Sequence, residues 1–203
     1  MHTAVFRTTL VGMVVLSLAL SACSKQPENT TTAKPTDATV DIPTAASPLA
    51  KAASRGDLAE VKALLEAGAE INVTDALGRT PLHMAAFYGR TKVSDFLLAN
   101  GAHIEARDRV GMTPLHAAVL SGGRQEMELL LDRKADVNAV TDAGQTPLHL
   151  AAATGQPKVS RLLIERGADP QHKDKQGNPP LFYASRNKHP ITTEVLQQHT
   201  AKN

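Results

Sequence analysis

The stretch that decides the fold is Thr80-Pro81-Leu82-His83, a phrase that the chain repeats. It returns as Thr113-Pro114-Leu115-His116 and as Thr146-Pro147-Leu148-His149, each time 33 residues further on. Altered copies flank these phrases: Ser47-Pro48-Leu49-Ala50 comes before them and Pro179-Pro180-Leu181-Phe182 after them. A fixed period of this length predicts a stack of similar units, each of which contacts only its neighbours.

Residues 75–107 show how one unit is built. After a turn, Thr80 is placed as a helix N-cap, and Pro81 follows at the first helical position, where its missing N–H costs nothing. Gly89 separates this short helix from a second one, which the apolar spacing predicts over about residues 91–100. One unit therefore consists of two short helices and an extended turn.

The recurring histidines are candidate metal ligands, but their spacing in a stack of repeats argues against a shared metal site. Equivalent positions in stacked helices lie roughly 8–10 Å apart, whereas zinc needs each ligand nitrogen about 2.0–2.1 Å from the metal. We therefore predict no metal or cofactor, and a structural role in joining turn to helix for the Thr/His pairs Thr80 and His83, Thr113 and His116, and Thr146 and His149.

In period and phrase the chain resembles the ankyrin repeat. The resemblance covers residues 47–199 and implies an all-α, monomeric solenoid of about five repeats, each with paired short helices and a turn or hairpin finger. The copies span residues 47–79, 80–112, 113–145, 146–178 and 179–199, and residues 200–203 form a tail.

Positions at which the sequence departs from the repeat pattern lead to further predictions. Lys134 stands where other copies have Gly68, Gly101 and Gly167, and a left-handed conformation there would strain a lysine. Terminal repeats need a polar outer face. We assign this face to Lys51, Glu60 and Lys62 in the first repeat and to Thr192, Thr193, Gln197 and Gln198 in the last.

The N-terminus has the form of a targeting signal. The apolar run Leu10–Leu20 is too short to span a bilayer but fits a secretory signal peptide. It ends in Leu20-Ser21-Ala22-Cys23, which resembles the lipobox of bacterial lipoproteins. The resemblance implies removal of residues 1–22 and acylation of Cys23. Because Ser24 is not aspartate, it also implies the outer membrane, facing the periplasm. An ordinary signal peptide with a chance cysteine is the alternative.

Residues 23–46 link this signal to the repeats. Apart from Cys23, they contain three prolines and six threonines, and only Val40 and Ile42 are large and apolar. Such a segment cannot bury enough surface to offset the entropy of ordering, so we predict a disordered tether.

Catalysis and nucleic-acid binding are both disfavoured. The net charge is +2 with mixed signs, and nucleic-acid binding needs a clustered basic face. Gly122-Gly123-Arg124 marks a break between helices and does not fit a phosphate-binding loop. We interpret Glu126 and Glu128 as a solvated helix face and not as a catalytic pair.

The ankyrin resemblance implies a concave binding face lined by the turn tips and the ends of the first helices. In copies two and three these positions hold aromatic, arginine and branched apolar residues, which interface cores favour. Later copies are small or polar there, at Asp142, Ala143, Gln145, Ala153, Thr154, Lys175, Gln176 and Asn178. The predicted partner site is Leu77, Arg79, Phe87, Tyr88, Arg109, Val110, Met112, Leu120 and Ser121.

One alternative concerns the aromatic pair: Phe87 could pack inward beside Phe96 and leave only Tyr88 exposed. The functional expectation is a non-catalytic, lipid-anchored module of the bacterial envelope that holds or masks a protein partner. A periplasmic inhibitor or immunity protein against a toxin or hydrolase is the second candidate, and an enzyme is disfavoured. Fold alone does not separate these functions.

Overall fold

The computed structural model describes residues 47–200. In this range the chain forms ten α-helices and no strand, which confirms the predicted all-α solenoid of paired helices. The helices are α1 Pro48–Arg55, α2 Leu58–Glu66, α3 Pro81–Phe87, α4 Thr91–Ala99, α5 Pro114–Ser121, α6 Arg124–Asp132, α7 Pro147–Ala153, α8 Pro157–Glu165, α9 Pro180–Arg186 and α10 Pro190–Thr200. The predicted signal peptide, the lipobox with Cys23 and the tether lie outside the described residues.

The first helices of the pairs pack together more closely than the second helices do. Small side chains allow this approach, since the first helices bury alanines such as Ala53, Ala86 and Ala152. The second helices bury larger residues such as Leu97 and Leu163. A stack that packs more closely along one row curves toward it, so the first helices line the inner side.

The histidines of the repeated phrase connect the start of one repeat to the turn that leads into the next. His83 Nδ1 accepts the N–H of Thr80 at 3.2 Å, and His83 Nε2 lies 3.0 Å from the carbonyl oxygen of Met112, the residue just before the next repeated phrase. Because a backbone N–H can only donate, Nδ1 is unprotonated and Nε2 carries the proton. His116 and His149 repeat both contacts, one repeat further along each time.

These three imidazoles are buried and neutral. Burial lowers the pKa of His116 to about 4, and the hydrogen bond to the Gln145 carbonyl offsets only part of this effect. Burial also lowers the pKa of His83 and of His149. Each ring therefore acts as a neutral bridge between a turn and the following repeat. No group of three or more potential metal ligands occurs among residues 47–200.

Lys134 adopts the left-handed conformation, with φ 72°, where Gly101 has φ 93°. Replacing Lys134 with glycine should raise the free energy of unfolding by about 1 kcal/mol, because glycine takes this φ without strain. Urea unfolding followed by circular dichroism measures the change. The reverse exchange, Gly101→Lys, should lower stability by a similar amount, since nothing lies within 4 Å of a Cβ there. An unchanged or lower unfolding midpoint for Lys134→Gly would contradict this account.

The last repeat corrects one prediction about the polar outer face. Gln197 and Gln198 are exposed and Thr193 is half-buried, but Thr192 is buried, so its assignment to the outer face was wrong. The reason is its register: positions 33 and 99 residues earlier hold the buried Val159 and Val93. In the first repeat Lys51 and Lys62 are exposed, and Glu60 pairs with Arg55.

Candidate functional site

The turn tips of adjacent repeats are tied together by single backbone hydrogen bonds. The N–H of Arg109 donates to the Leu77 carbonyl at 2.9 Å, and the N–H of Asp142 donates to the Val110 carbonyl at 3.0 Å. Gly78 is required beside this bond: its φ is 77°, and a Cβ there would lie 3.0 Å from the Arg109 nitrogen. The tips therefore form a continuous row in which the side chains between the bonds face outward.

In three of the four tips an aspartate holds the loop closed, and Thr141 takes its place in the third. Asp75 Oδ1 accepts the N–H groups of Leu77 and Arg79 at 2.8 and 2.9 Å. Asp108 accepts two N–H groups in the same way in the next tip. The signal was available, because aspartate recurs in the turn sequences and commonly caps nearby backbone.

Two large apolar side chains on this row are open to solvent. Leu77 is 52% exposed and Val110 is 58% exposed, and both belong to the predicted partner site. Arg109, next to Val110, is exposed as well. A tip held by its own hydrogen bonds does not need an apolar side chain in solvent, so this pattern favours a contact surface.

The aromatic pair lies at the other end of α3. Tyr88 is 50% exposed, and its ring packs edge-on against Phe87 with the ring centroids 5.2 Å apart. Phe87 is half-buried against a core cluster that includes Leu115, whereas Phe96 packs on a second cluster. Phe87 thus supports the exposed ring of Tyr88 and presents only part of its own surface.

The other predicted site residues are more constrained. The Arg79 guanidinium forms an ion pair with Asp75 at 2.7 Å. Met112 and Leu120 are half-buried. Ser121 is exposed, and its hydroxyl donates to the Ala118 carbonyl at 2.9 Å. The exposed apolar part of the site is therefore Leu77, Val110 and Tyr88, and we call this set the apolar tip patch.

A family model described as ankyrin repeats (3 copies) matches residues 18–108, 49–141 and 115–203. The chain belongs to the ankyrin-repeat family. Ankyrin repeats are generally protein-binding modules and typically not enzymes. A search of curated proteins found no match. Within residues 47–200, no helix has the length and apolar character needed to cross a membrane.

Further along the ankyrin stack, the equivalent positions are engaged in polar contacts. Asp142 pairs with Arg107 at 2.9 Å. The amide of Gln145 donates to the hydroxyl of Tyr183 at 3.3 Å, and that hydroxyl donates to Asp174. This half of the face therefore has less free apolar surface than the half that carries the apolar tip patch.

One ankyrin helix buries a carboxyl group that the sequence pattern placed in solvent. Glu126 on α6 is 1% exposed, and in the described structure neither of its carboxylate oxygens has a hydrogen-bond partner. Burial raises its pKa, and the nearby hydroxyls of Ser94 and Thr91 lower it by less. The interpretation of Glu126 as part of a solvated face was wrong. Its register with the buried Val93 was the signal that would have shown this.

Proposed function

We propose that this ankyrin-repeat protein is a lipid-anchored binding module of the bacterial envelope. It holds or masks a protein partner on the N-terminal half of its inner face. The observation that carries the proposal is the apolar tip patch: Leu77 and Val110 are more than half exposed on a row of tips that the chain itself stabilises, and Tyr88 is half exposed at the end of α3. Apolar and aromatic residues beside arginine are typical of interface centres.

The anchoring part of the proposal rests on the N-terminal sequence. An apolar run followed by Leu20-Ser21-Ala22-Cys23 supports acylation of Cys23, and Ser24 supports the outer membrane facing the periplasm. Acyl chains contribute about 0.8 kcal/mol per buried CH₂ group, so more than one chain gives stable attachment. The repeats would then meet their partner close to that membrane.

The double substitution Leu77→Asp with Tyr88→Ala should abolish partner capture, because it removes apolar contact area and places a charge in the interface. We expect crosslinking in the native envelope followed by mass spectrometry to recover the partner at least about tenfold less efficiently than with wild type. Helical circular dichroism should not change, since both side chains are exposed.

A matched control is available in the last repeat. Ile191 on α10 is 64% exposed and lies outside the apolar tip patch, so Ile191→Ser removes similar apolar surface elsewhere. This variant should capture the partner as wild type does. Equal capture by the Leu77/Tyr88 variant, or equal loss in the Ile191 variant, would refute the proposed site.

A further inference from the structure

At three of the four junctions between repeats, a planar side chain with N–H groups reaches back to the preceding repeat. It comes from the residue before the second helix and donates to a carbonyl oxygen near the end of the preceding first helix. The pairs are Arg90 Nε to the Ser54 oxygen at 2.9 Å, Gln156 Nε2 to the Val119 oxygen at 2.9 Å, and His189 Nε2 to the Ala153 oxygen at 3.2 Å.

Each of these side chains also covers the glycine that follows the preceding first helix. A Cβ added to Gly56 would lie 2.8 Å from Arg90 Cδ, and one added to Gly155 would lie 2.5 Å from His189 Nδ1. A Cβ on Gly122 would lie 3.5 Å from Gln156 Oε1. A planar polar group therefore fills the space above the glycine at these junctions.

The junction between the second and third repeats lacks such a group. Gly123 occupies the equivalent position, 33 residues after Arg90 and 33 before Gln156. As a result nothing in the described structure lies within 4 Å of a Cβ placed on Gly89. We call this opening, beside Tyr88 and between Gly89 and Gly123, the Gly89 notch.

The backbone does not require glycine at position 123. Gly123 has φ −73° and ψ 85°, close to the −107° and 81° of Gln156 at the filled junction. A Cβ on Gly123 would approach the Ser121 hydroxyl at 3.3 Å and Gly89 Cα at 4.0 Å, and a hydroxyl can rotate away. The notch is thus a feature of the side chains, in a place where the fold accepts a larger residue.

The surroundings of the notch suit a guanidinium group. The carbonyl oxygens at the end of α3 accept hydrogen bonds and carry partial negative charge. The half-exposed ring of Tyr88, backed by Phe87, offers a face for a cation.

We propose that an arginine side chain of the protein partner occupies the Gly89 notch and supplies there the bridge that Arg90 makes one junction earlier. This inference rests on the proposed function, because the notch adjoins Tyr88 of the apolar tip patch. Arginine fits better than lysine, since its planar fork can bond a carbonyl and stack on an aromatic ring at once.

The test uses the purified full chain and a displayed library of random peptides. We expect enriched peptides to share an arginine, and exchange of that arginine for citrulline or alanine to weaken binding at least about tenfold. Gly123→Gln, which copies Gln156, should fill the notch from within and weaken binding by a similar factor. Gly123→Arg copies Arg90 and provides a second variant. Arg124→Gln, one residue further along, is the control and should bind as wild type does.

The outcomes distinguish a failure of the Gly89 notch proposal from a failure of the proposed binding face. If Leu77→Asp with Tyr88→Ala abolishes binding while Gly123→Gln and Gly123→Arg, both folded by circular dichroism, bind as wild type does, the notch proposal is wrong and the proposed function stands. If binding persists in all these variants, both are wrong. Enrichment of peptides without arginine, or of no peptide at all, also overturns the notch proposal.

Discussion

Replacing Glu126 with valine is expected to stabilise the protein by about 2 kcal/mol at pH 7, because a buried carboxyl group with only the Ser94 and Thr91 hydroxyls nearby costs more free energy than a packed apolar side chain. Glu126 is fully buried, and neither carboxylate oxygen accepts a hydrogen bond within the described structure. The residues one repeat earlier and later, Val93 and Val159, are buried valines. Valine is therefore the residue that neighbouring repeats bury at this position.

The gain from this substitution depends on pH in a defined direction. Burial raises the pKa of Glu126 in the folded protein, so protonation favours the folded state. The contribution of Glu126 is most favourable below the carboxyl's unfolded pKa and is lost as pH rises through the folded value. The advantage of valine should therefore be largest at neutral pH and shrink toward pH 4. Urea unfolding at several pH values measures this difference.

Two comparisons make the Glu126 result specific. Glu194 on α10 is exposed, so Glu194→Val should change stability by no more than about 0.5 kcal/mol. Glu126→Gln removes the charge but keeps a polar group, so it should give only part of the gain. A valine variant that is less stable than wild type at pH 7 would show that the carboxyl is stabilised by its surroundings.

Periodicity made most of this fold predictable. Thr80, Pro81 and His83 recur at a fixed spacing, and each performs a local task that chemistry dictates: cap, helix start and hydrogen bond. The cap and the helix start depend on neighbours within four residues, and the second contact of His83, to Met112, lies 29 residues on, just before the next repeated phrase. The sequence therefore contains the information for each of them. The same reasoning identified Lys134 as left-handed, since glycine fills that position in other copies.

The candidate site was less predictable because it depends on contacts between repeats. Tyr88 and Phe87 look alike in sequence, yet only their packing shows that one is half exposed and the other rests on the core. Glu126 looks polar and Thr192 looks solvated until their register is compared with Val93. Recognising the Gly89 notch requires knowing that the facing residue of the next repeat is Gly123. These features come from comparing columns across repeats, which reading along the chain does not reveal.

Lowering the pH from 7.5 to 5.5 is expected to destabilise the protein through its three buried histidines. The ordinary pKa of histidine is near 6.5, and burial lowers that of His116 to about 4 in the folded state. The unfolded chain therefore binds protons first. Stability is fully present above the unfolded pKa and is lost as pH falls below it.

The size of the His116 contribution follows from its pKa. A shift from 6.5 to about 4 corresponds to about 3 kcal/mol lost by pH 4, of which about 1.4 kcal/mol is lost by pH 5.5. His83 and His149 change in the same direction, because burial lowers the pKa of each. Urea unfolding at pH 7.5, 6.5 and 5.5 should therefore show a falling midpoint, most clearly in the Glu126→Val variant, which lacks the opposing contribution of that carboxyl group.

Substitution of His116 separates its protonation from that of other groups. His116→Gln should be less stable than wild type at pH 7.5, because the bridge between Thr113 and Gln145 is weakened. It should then lose about 1.4 kcal/mol less than wild type on going to pH 5.5. Glu126, His83 and His149 titrate in both chains, so the difference isolates His116.

A variant that is destabilised but keeps all its ionisable groups completes the comparison. Val119 is fully buried on α5, so Val119→Ala should cost about 1–3 kcal/mol at every pH while its pH dependence matches wild type. If His116→Gln also matched wild type in pH dependence, the imidazole could not be neutral in the folded state. The carbonyl of Gln145 would then bond a charged ring, and Thr113 would need another acceptor for its N–H. That arrangement conflicts with the observed hydrogen bond from the Thr113 N–H to His116 Nδ1. The pH dependence of stability therefore tests whether His116, the histidine of the repeated phrase, is neutral in the folded protein.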